Sequence, residues 1–262
     1  MWIAWGIGAN GKSTMLNTFM KLLGPYSCVA APELLMAKRG DRHPTELADL
    51  HGARLVTAIE SGEGRRLNES LIKQVTGGDP VKARRMREDF WPFTPQFKLW
   101  LATNHRPDSR GTDHAIWRRL SLIPFTVVFH DPDSGETPVK DVAMAAKLRA
   151  ELPGILNWSL EGCRAWQQDG LRPPAVVKQA VAAYRQDMDV IASFVDECCV
   201  VGPGKSATAA DLYRSYVQWS EAAGEKPETK TSFGLRLRER GFEPGAVKNT
   251  RVWRGIGCDD SP

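Results

Sequence analysis

A chain of 262 residues with 42% hydrophobic and 25% charged content has the make-up of a soluble globular protein, with apolar material enough for one large or two modest domains. Its net charge of +4 permits nucleic-acid contact without arguing for it, and its five cysteines, odd in number, without a C-x-x-C pair and without a His at metal spacing, read as reduced thiols in the cytoplasm. No apolar run reaches the length of a membrane span and the first residues lack a basic lead, so neither membrane nor export is expected.

Met1–Trp5 predicts a first strand, so that either the fold begins abruptly or the chain is the C-terminal part of something longer. Further strands are predicted at Arg54–Ile59, Pro80–Met86, Phe97–Ala102 and Leu120–Val128, alternating with helices in the manner of an α/β parallel sheet. The third differs: Gly77-Gly78-Asp79-Pro80 is a strong turn, and Val81–Met86 with Phe90–Thr94 reads as a basic, aromatic hairpin. Beyond a turn-rich stretch at 131–135, helical spacing covers 153–166 and, after Pro173-Pro174, 175–188. The last part reads as helices at 191–199, 208–223 and 231–240 followed by a short hairpin at 247–254, which suggests a winged helix. The expected division is therefore a P-loop core over 1–129, a helical bridge over 130–188 and a small α+β winged-helix domain over 189–262.

Gly6-Ile7-Gly8-Ala9-Asn10-Gly11-Lys12-Ser13-Thr14 satisfies G-x-x-x-x-G-K-[ST] directly after the first strand. Such a loop turns successive N–H groups and a helix N-terminus toward a polyphosphate, with Lys12 reaching the β/γ-phosphates and Ser13 offering Mg²⁺ an oxygen. Glu60 follows an apolar, β-branched strand, where a carboxylate can hold Mg²⁺ or orient water; Glu63 is near enough to assist. Asn104 ends a second apolar strand and can sense the γ-phosphate, against the alternative of an Asx turn before His105-Arg106-Pro107. Arg118 and Arg119 precede the last strand, as a guanidinium that inserts into a neighbour's site would, or as a solvated pair.

The hairpin groups Lys82, Arg84, Arg85 and Arg87 with Phe90, Trp91 and Phe93; cations track phosphates and rings stack on bases, although the same pattern protects a sheet edge. Between Lys226 and Arg254 eight basic residues stand against Glu228, Glu239 and Glu243. There Phe233 and Leu237 share a core stripe, while Arg236 and Arg240 share another, as a groove-facing helix would require; protein docking is the other reading.

In this order the motifs resemble the superfamily 3 helicase domain of phage and plasmid primase-helicases and poxvirus-type relatives, a branch of the AAA+ ATPases. Its carriers are Trp5–Thr14 as Walker A, Leu55–Glu60 as Walker B, Arg65–Asp79 with the hairpin as the B′ region, Phe97–Asn104 as motif C, and Ile116–Leu120 through Phe125 as the arginine-finger segment. The resemblance implies a homohexameric ring that hydrolyses ATP with Mg²⁺ and draws single-stranded DNA 3′ to 5′ through its centre, in phage-type replication. It assigns Gly6, Gly8, Ala9, Asn10, Gly11, Lys12, Ser13 and Thr14 to the nucleotide, and Ser13 and Glu60 to the metal. Asn104 becomes the sensor, Arg119 or Arg118 the finger, and Lys82, Arg84 and Arg85 the DNA grip. Two departures accompany it: Ser61 stands where many relatives carry a second acid, and the collar and primase domain that precede Walker A in the family have no counterpart in this sequence. A P-loop small-molecule kinase, and a DNA-binding regulator switched by nucleotide without hydrolysis, are the alternative functions.

Overall fold

The computed structural model describes residues 1–37, 45–60, 62–109, 114–223 and 227–258, which fall into two compact units, Met1–Arg185 and Gln186–Pro262. In the first, runs without polar alternation become strands covered on both faces, as in other parallel sheets. In chain order it contains β1 (Trp2–Trp5), α1 (Lys12–Leu23), β2 (Ser27–Val29), α2 (Pro32–Leu35), α3 (Thr45–Ala48), β3 (Leu55–Glu60), α4 (Glu69–Val75), β4 (Val81–Ala83) and β5 (Trp91–Phe93). There follow β6 (Lys98–Thr103), α5 (His114–Trp117), β7 (Ser121–Pro124), α6 (Met144–Ala150), α7 (Leu152–Asp169) and α8 (Ala175–Asp187).

Five parallel strands form the sheet in the order β2-β3-β6-β1-β7. Ile3, Ala4, Val56, Ala58 and Leu101 are wholly buried within it, with Leu16 of α1 against its face. The register sets Trp5 and Glu60 on either side of Thr103, so β1, β6 and β3 end together at one edge. The fold is α/β as the sequence predicts, with two differences. β2 is a three-residue edge strand that the local pattern does not signal, and β4 and β5 stand apart from the main sheet as an antiparallel pair.

The second unit contains α9 (Val190–Cys198), β8 (Cys199–Thr208), α10 (Ala209–Ala222), α11 (Lys230–Glu239), β9 (Glu243–Val247) and β10 (Thr250–Cys258). Asp189, Thr208 and Thr229 cap the three helices by accepting from the backbone N–H three residues on. Its antiparallel sheet runs β8-β10-β9, and the helices close over it around Ile191, Phe194, Leu212, Tyr216, Phe233, Leu237, Trp253 and Ile256. β8 is not among the predicted strands because Gly202-Pro203-Gly204 punctuates it like a turn.

Candidate nucleotide site and basic hairpin

The loop between β1 and α1 is shaped by its glycines. A Cβ on Gly6 would lie 2.1 Å from the Phe125 carbonyl oxygen and 2.6 Å from Asn10 Nδ2, so only hydrogen fits there. Gly11 has open space around it but a φ of 86°, and Ala9 also takes a left-handed φ of 59°. The loop thus enters α1 with no side chain capping its first N–H groups, the arrangement that receives a phosphate.

Asn10 is buried and ties the loop to the segment after β7, donating to Ile7 O at 2.5 Å and Phe125 O at 3.0 Å. Lys12 is buried too; its ammonium donates to Gly6 O at 2.5 Å, Asn10 Oδ1 at 3.0 Å and Asn104 Oδ1 at 3.2 Å. Burial holds the Lys12 pKa below its ordinary value. Ser13 is exposed on the first turn of α1 beside half-buried Thr14, whereas Gly8 has neither a steric contact nor an unusual φ to require it.

Asn104 directly follows β6 and is bonded to the P-loop lysine, so the expected sensor and cradle meet. The turn that carries it is fixed from three sides. Thr103 Oγ1 donates to His105 O at 2.6 Å and accepts from His105 N at 3.2 Å. The Arg106 guanidinium lies 5.0 Å from the Trp5 ring and 5.9 Å from that of Tyr184. Tyr184, fully buried at the end of α8, donates its hydroxyl to Pro107 O and meets the Trp117 ring edge-on at 5.1 Å. Burial pushes that hydroxyl's pKa far above the usual tyrosine range. Sequence reasoning missed Tyr184, because its signal is only one aromatic residue in a helical pattern.

Glu60 ends β3 one strand beyond Asn104, in register with Thr103. Glu63 is exposed on the following turn; Ser61 lies outside the described residues. Arg118 is exposed and Arg119 half-buried, with Arg119 Nη1 donating to Ala115 O at 2.8 Å. Both precede Ser121, which pairs with Trp2, so they occupy the edge of the sheet opposite the P-loop. About 10 Å of strand separates the two edges at about 3.3 Å per residue. The arginines therefore do not join the loop of their own chain.

A cavity of about 650 Å³ opens beside the loop, where Ala9, Gly11, Thr14 and Met15 face Phe129, Val142, Met144 and Trp158. Phe129 N donates to Ala9 O at 2.8 Å and fastens the far wall to the cradle. Its apolar lining suits a flat base, and the bare α1 N-terminus, the Lys12 cation and the Ser13 hydroxyl suit a metal-bound polyphosphate, so these residues fit a nucleotide with its divalent ion. No local pattern announces this wall, whose residues lie more than a hundred positions after the loop.

In the hairpin Val81, Ala83 and Phe93 are buried while Lys82, Arg84, Arg85, Met86, Arg87 and Phe90 are exposed. Trp91 and Phe93 pack on His51 at 4.7 and 5.4 Å, so two of the three rings are structural and Phe90 alone is presented. The Arg84 guanidinium sits 4.9 Å from the Phe90 ring, which groups cation and π-face at the tip.

Arg236 and Arg240 do not fit the groove-facing role expected of them. The Arg236 side chain is only 11% exposed and pairs with Glu228, itself 12% exposed, at 2.8 Å. Arg240 pairs with Asp189, the cap of α9. Equal spacing put both on one stripe, but that stripe turns inward to carboxylates outside the helix. Lys226, of the same basic span, lies outside the described residues.

Residues 4–119 match a family of unknown function, DUF5906, and residues 186–254 match the poxvirus D5 protein-like family. Among curated relatives, Putative helicase L207/L206 of Acanthamoeba polyphaga mimivirus is 29% identical over 87% of this chain and 26% of its own length. Putative helicase 022R of Frog virus 3 is 28% identical over 83% of this chain and 24% of its own length. The chain thus spans about a quarter of the length of these relatives. Among solved structures, the A form apo structure of the NrS-1 C terminal region aligns over 97% of this chain and 66% of that one, at 12% identity and a TM-score of 0.47. No helix among the described residues is long and apolar enough to cross a membrane.

Proposed function

We propose that this chain, a superfamily 3 helicase-type domain, is an ATP-hydrolysing motor that couples nucleotide turnover to movement along single-stranded DNA in replication. The observation that carries the reading is the bond from Lys12 across to Asn104 at the edge where Glu60 also ends its strand. A γ-phosphate entering the cradle competes with Asn104 for the Lys12 ammonium, so occupancy of the loop changes what holds the sensor side chain. The loop N–H groups and Lys12 bind and orient the polyphosphate, Ser13 and Glu60 would hold Mg²⁺, and the ion, when bound, neutralises phosphate charge. Glu60 also orients the attacking water, and the cavity behind Ala9 takes the base.

Arg118 and Arg119, on the opposite sheet edge, supply their cation to the loop of a neighbouring copy, which supports a ring. The hairpin tip, with exposed cations around Phe90, grips the strand. The second unit, with its helices and terminal hairpin in winged-helix order, is a further nucleic-acid-binding part.

DNA-stimulated ATPase activity tests the motor. It should fall at least 100-fold in Lys12→Ala and in Glu60→Gln, as expected when a charge-stabilising or water-orienting group is removed, with ATP binding retained in the latter. Hydrolysis at the unaltered rate in both variants would refute the assignment. Lys82→Ala with Arg84→Ala should instead weaken single-strand binding and its salt dependence while leaving basal hydrolysis in place.

A further inference from the structure

In the second unit a groove of about 890 Å³ runs between α11 and the β9–β10 hairpin. Three cations line it, Lys230, Arg238 and Arg251, all exposed, and no carboxylate is among its lining residues. At about 100° per residue, Thr231, Gly234, Leu235 and Arg238 fall on one stripe of α11, nearly opposite the stripe of Arg236 and Arg240 that is engaged in internal ion pairs. The outward cationic face of this helix is therefore not the one that spacing alone selects. Lys230 and Arg238, eight residues apart, stand about 12 Å from each other along the helix axis. That spans several base-pair steps of about 3.4 Å each.

Across the groove, Lys248 and Asn249 take left-handed φ values of 45° and 64°, the primed turn that closes a two-residue hairpin, and this leaves Lys248 exposed at its tip. The two aromatic rings that line the groove, Phe233 and Trp253, are buried at 1% and 7% exposure. A surface that reads single strands needs open rings for stacking, and here there are none among the lining residues. Gly234 lets the buried Trp253 ring pack against the helix, 3.4 Å from where a Cβ would stand, and that ring closes the floor of the groove.

We infer that this groove binds the phosphate backbone of duplex DNA through Lys230, Arg238 and Arg251. The inference rests on reading the second unit as nucleic-acid-binding, and it divides the labour: the hairpin of the first unit holds the single strand and the groove holds the duplex.

The test uses the whole chain without nucleotide and follows anisotropy of a labelled 20-bp DNA duplex and of dT20 over a range of salt. In Lys230→Ala/Arg238→Ala/Arg251→Ala, duplex affinity should fall about tenfold or more and the slope of log K against log salt should shrink by about 2 to 3, at about 0.9 for each phosphate no longer neutralised. Binding to dT20 should stay within about twofold of the wild type, whereas Arg84→Ala/Arg85→Ala should show the reverse preference. An unchanged thermal melt shows that the triple variant is folded. Duplex affinity within twofold of the wild type, an equal loss on dT20, or displacement of duplex by polyglutamate as effective as by unlabelled duplex would overturn the inference, the last by pointing to an acidic protein partner. A wild type without ATPase activity whose triple variant still loses duplex binding in this way would remove the motor and leave the groove.

Discussion

Replacing Gly6 with alanine puts a methyl group 2.1 Å from the Phe125 carbonyl oxygen, where real Cβ contacts do not fall below 3.0 Å. Something must move by about 0.9 Å, and the obstacle is backbone. The same carbonyl accepts from Asn10 Nδ2 at 3.0 Å, so pushing it away also breaks the tie between the loop and the segment after β7. Displacement in a packed site costs about 1–3 kcal/mol. The lost hydrogen bond adds about 1 kcal/mol. The φ of 156° is a conformation that a side chain resists, which adds about 1 kcal/mol or more. A loss of about 3–5 kcal/mol is expected, a large part of the stability of an ordinary domain. Equilibrium urea unfolding of Gly6→Ala measures it, with Gly8→Ala as the internal control. Gly8 has no atom within 4 Å of where its Cβ would stand and no left-handed φ, so that variant should stay within about 0.5 kcal/mol of the wild type. If Gly6→Ala is equally harmless, or Gly8→Ala equally harmful, the steric account of the loop is wrong.

Two further outcomes follow from the same neighbourhood. Tyr184→Phe takes one hydroxyl from a fully buried ring and strands the Pro107 carbonyl, so urea unfolding should show a loss of about 1–2 kcal/mol, and an unchanged midpoint would refute the anchoring role. For Lys12, burial lowers the folded pKa below the unfolded value of 10.5, so between the two the unfolded chain holds more protons and stability rises with pH. The stability of the wild type relative to Lys12→Met should therefore improve as pH climbs toward 10.5, and a difference that stays flat over the alkaline range would contradict the burial of this cation.

The parts of the fold legible in the sequence were those in which one local constraint decides. The P-loop was readable because Gly6 and Gly11 answer to a clash and a backbone angle at the loop itself. The strand ending at Glu60 and the one just before Asn104 were readable because their buried stretches are largely apolar without polar alternation. Where a second, distant segment decides, local pattern is mute. Helical spacing gathered Arg236 with Arg240 correctly, but which way that stripe faces is set by Glu228 and Asp189, neither of them in α11. The hairpin rings were ambiguous for the same reason, since His51 on an earlier segment claims Trp91 and Phe93 and leaves Phe90 outside. The short edge strand β2 and the glycine-broken β8 escaped because tertiary pairing, rather than local pattern, makes them strands.

In the ring proposed above, the arginines at one edge of the sheet and the glycine-rich loop at the other would give each copy a head and a tail. A contact that carries one copy's arginine to the next copy's loop joins unlike surfaces, so it has a direction and can be repeated without limit. An open row of such copies always ends with one loop unserved and one arginine idle. Only closure equalises every position, and then the sites number the same as the subunits. Turnover per subunit in such a system is a property of the assembly: it falls on dilution as rows shorten, even though no residue has changed.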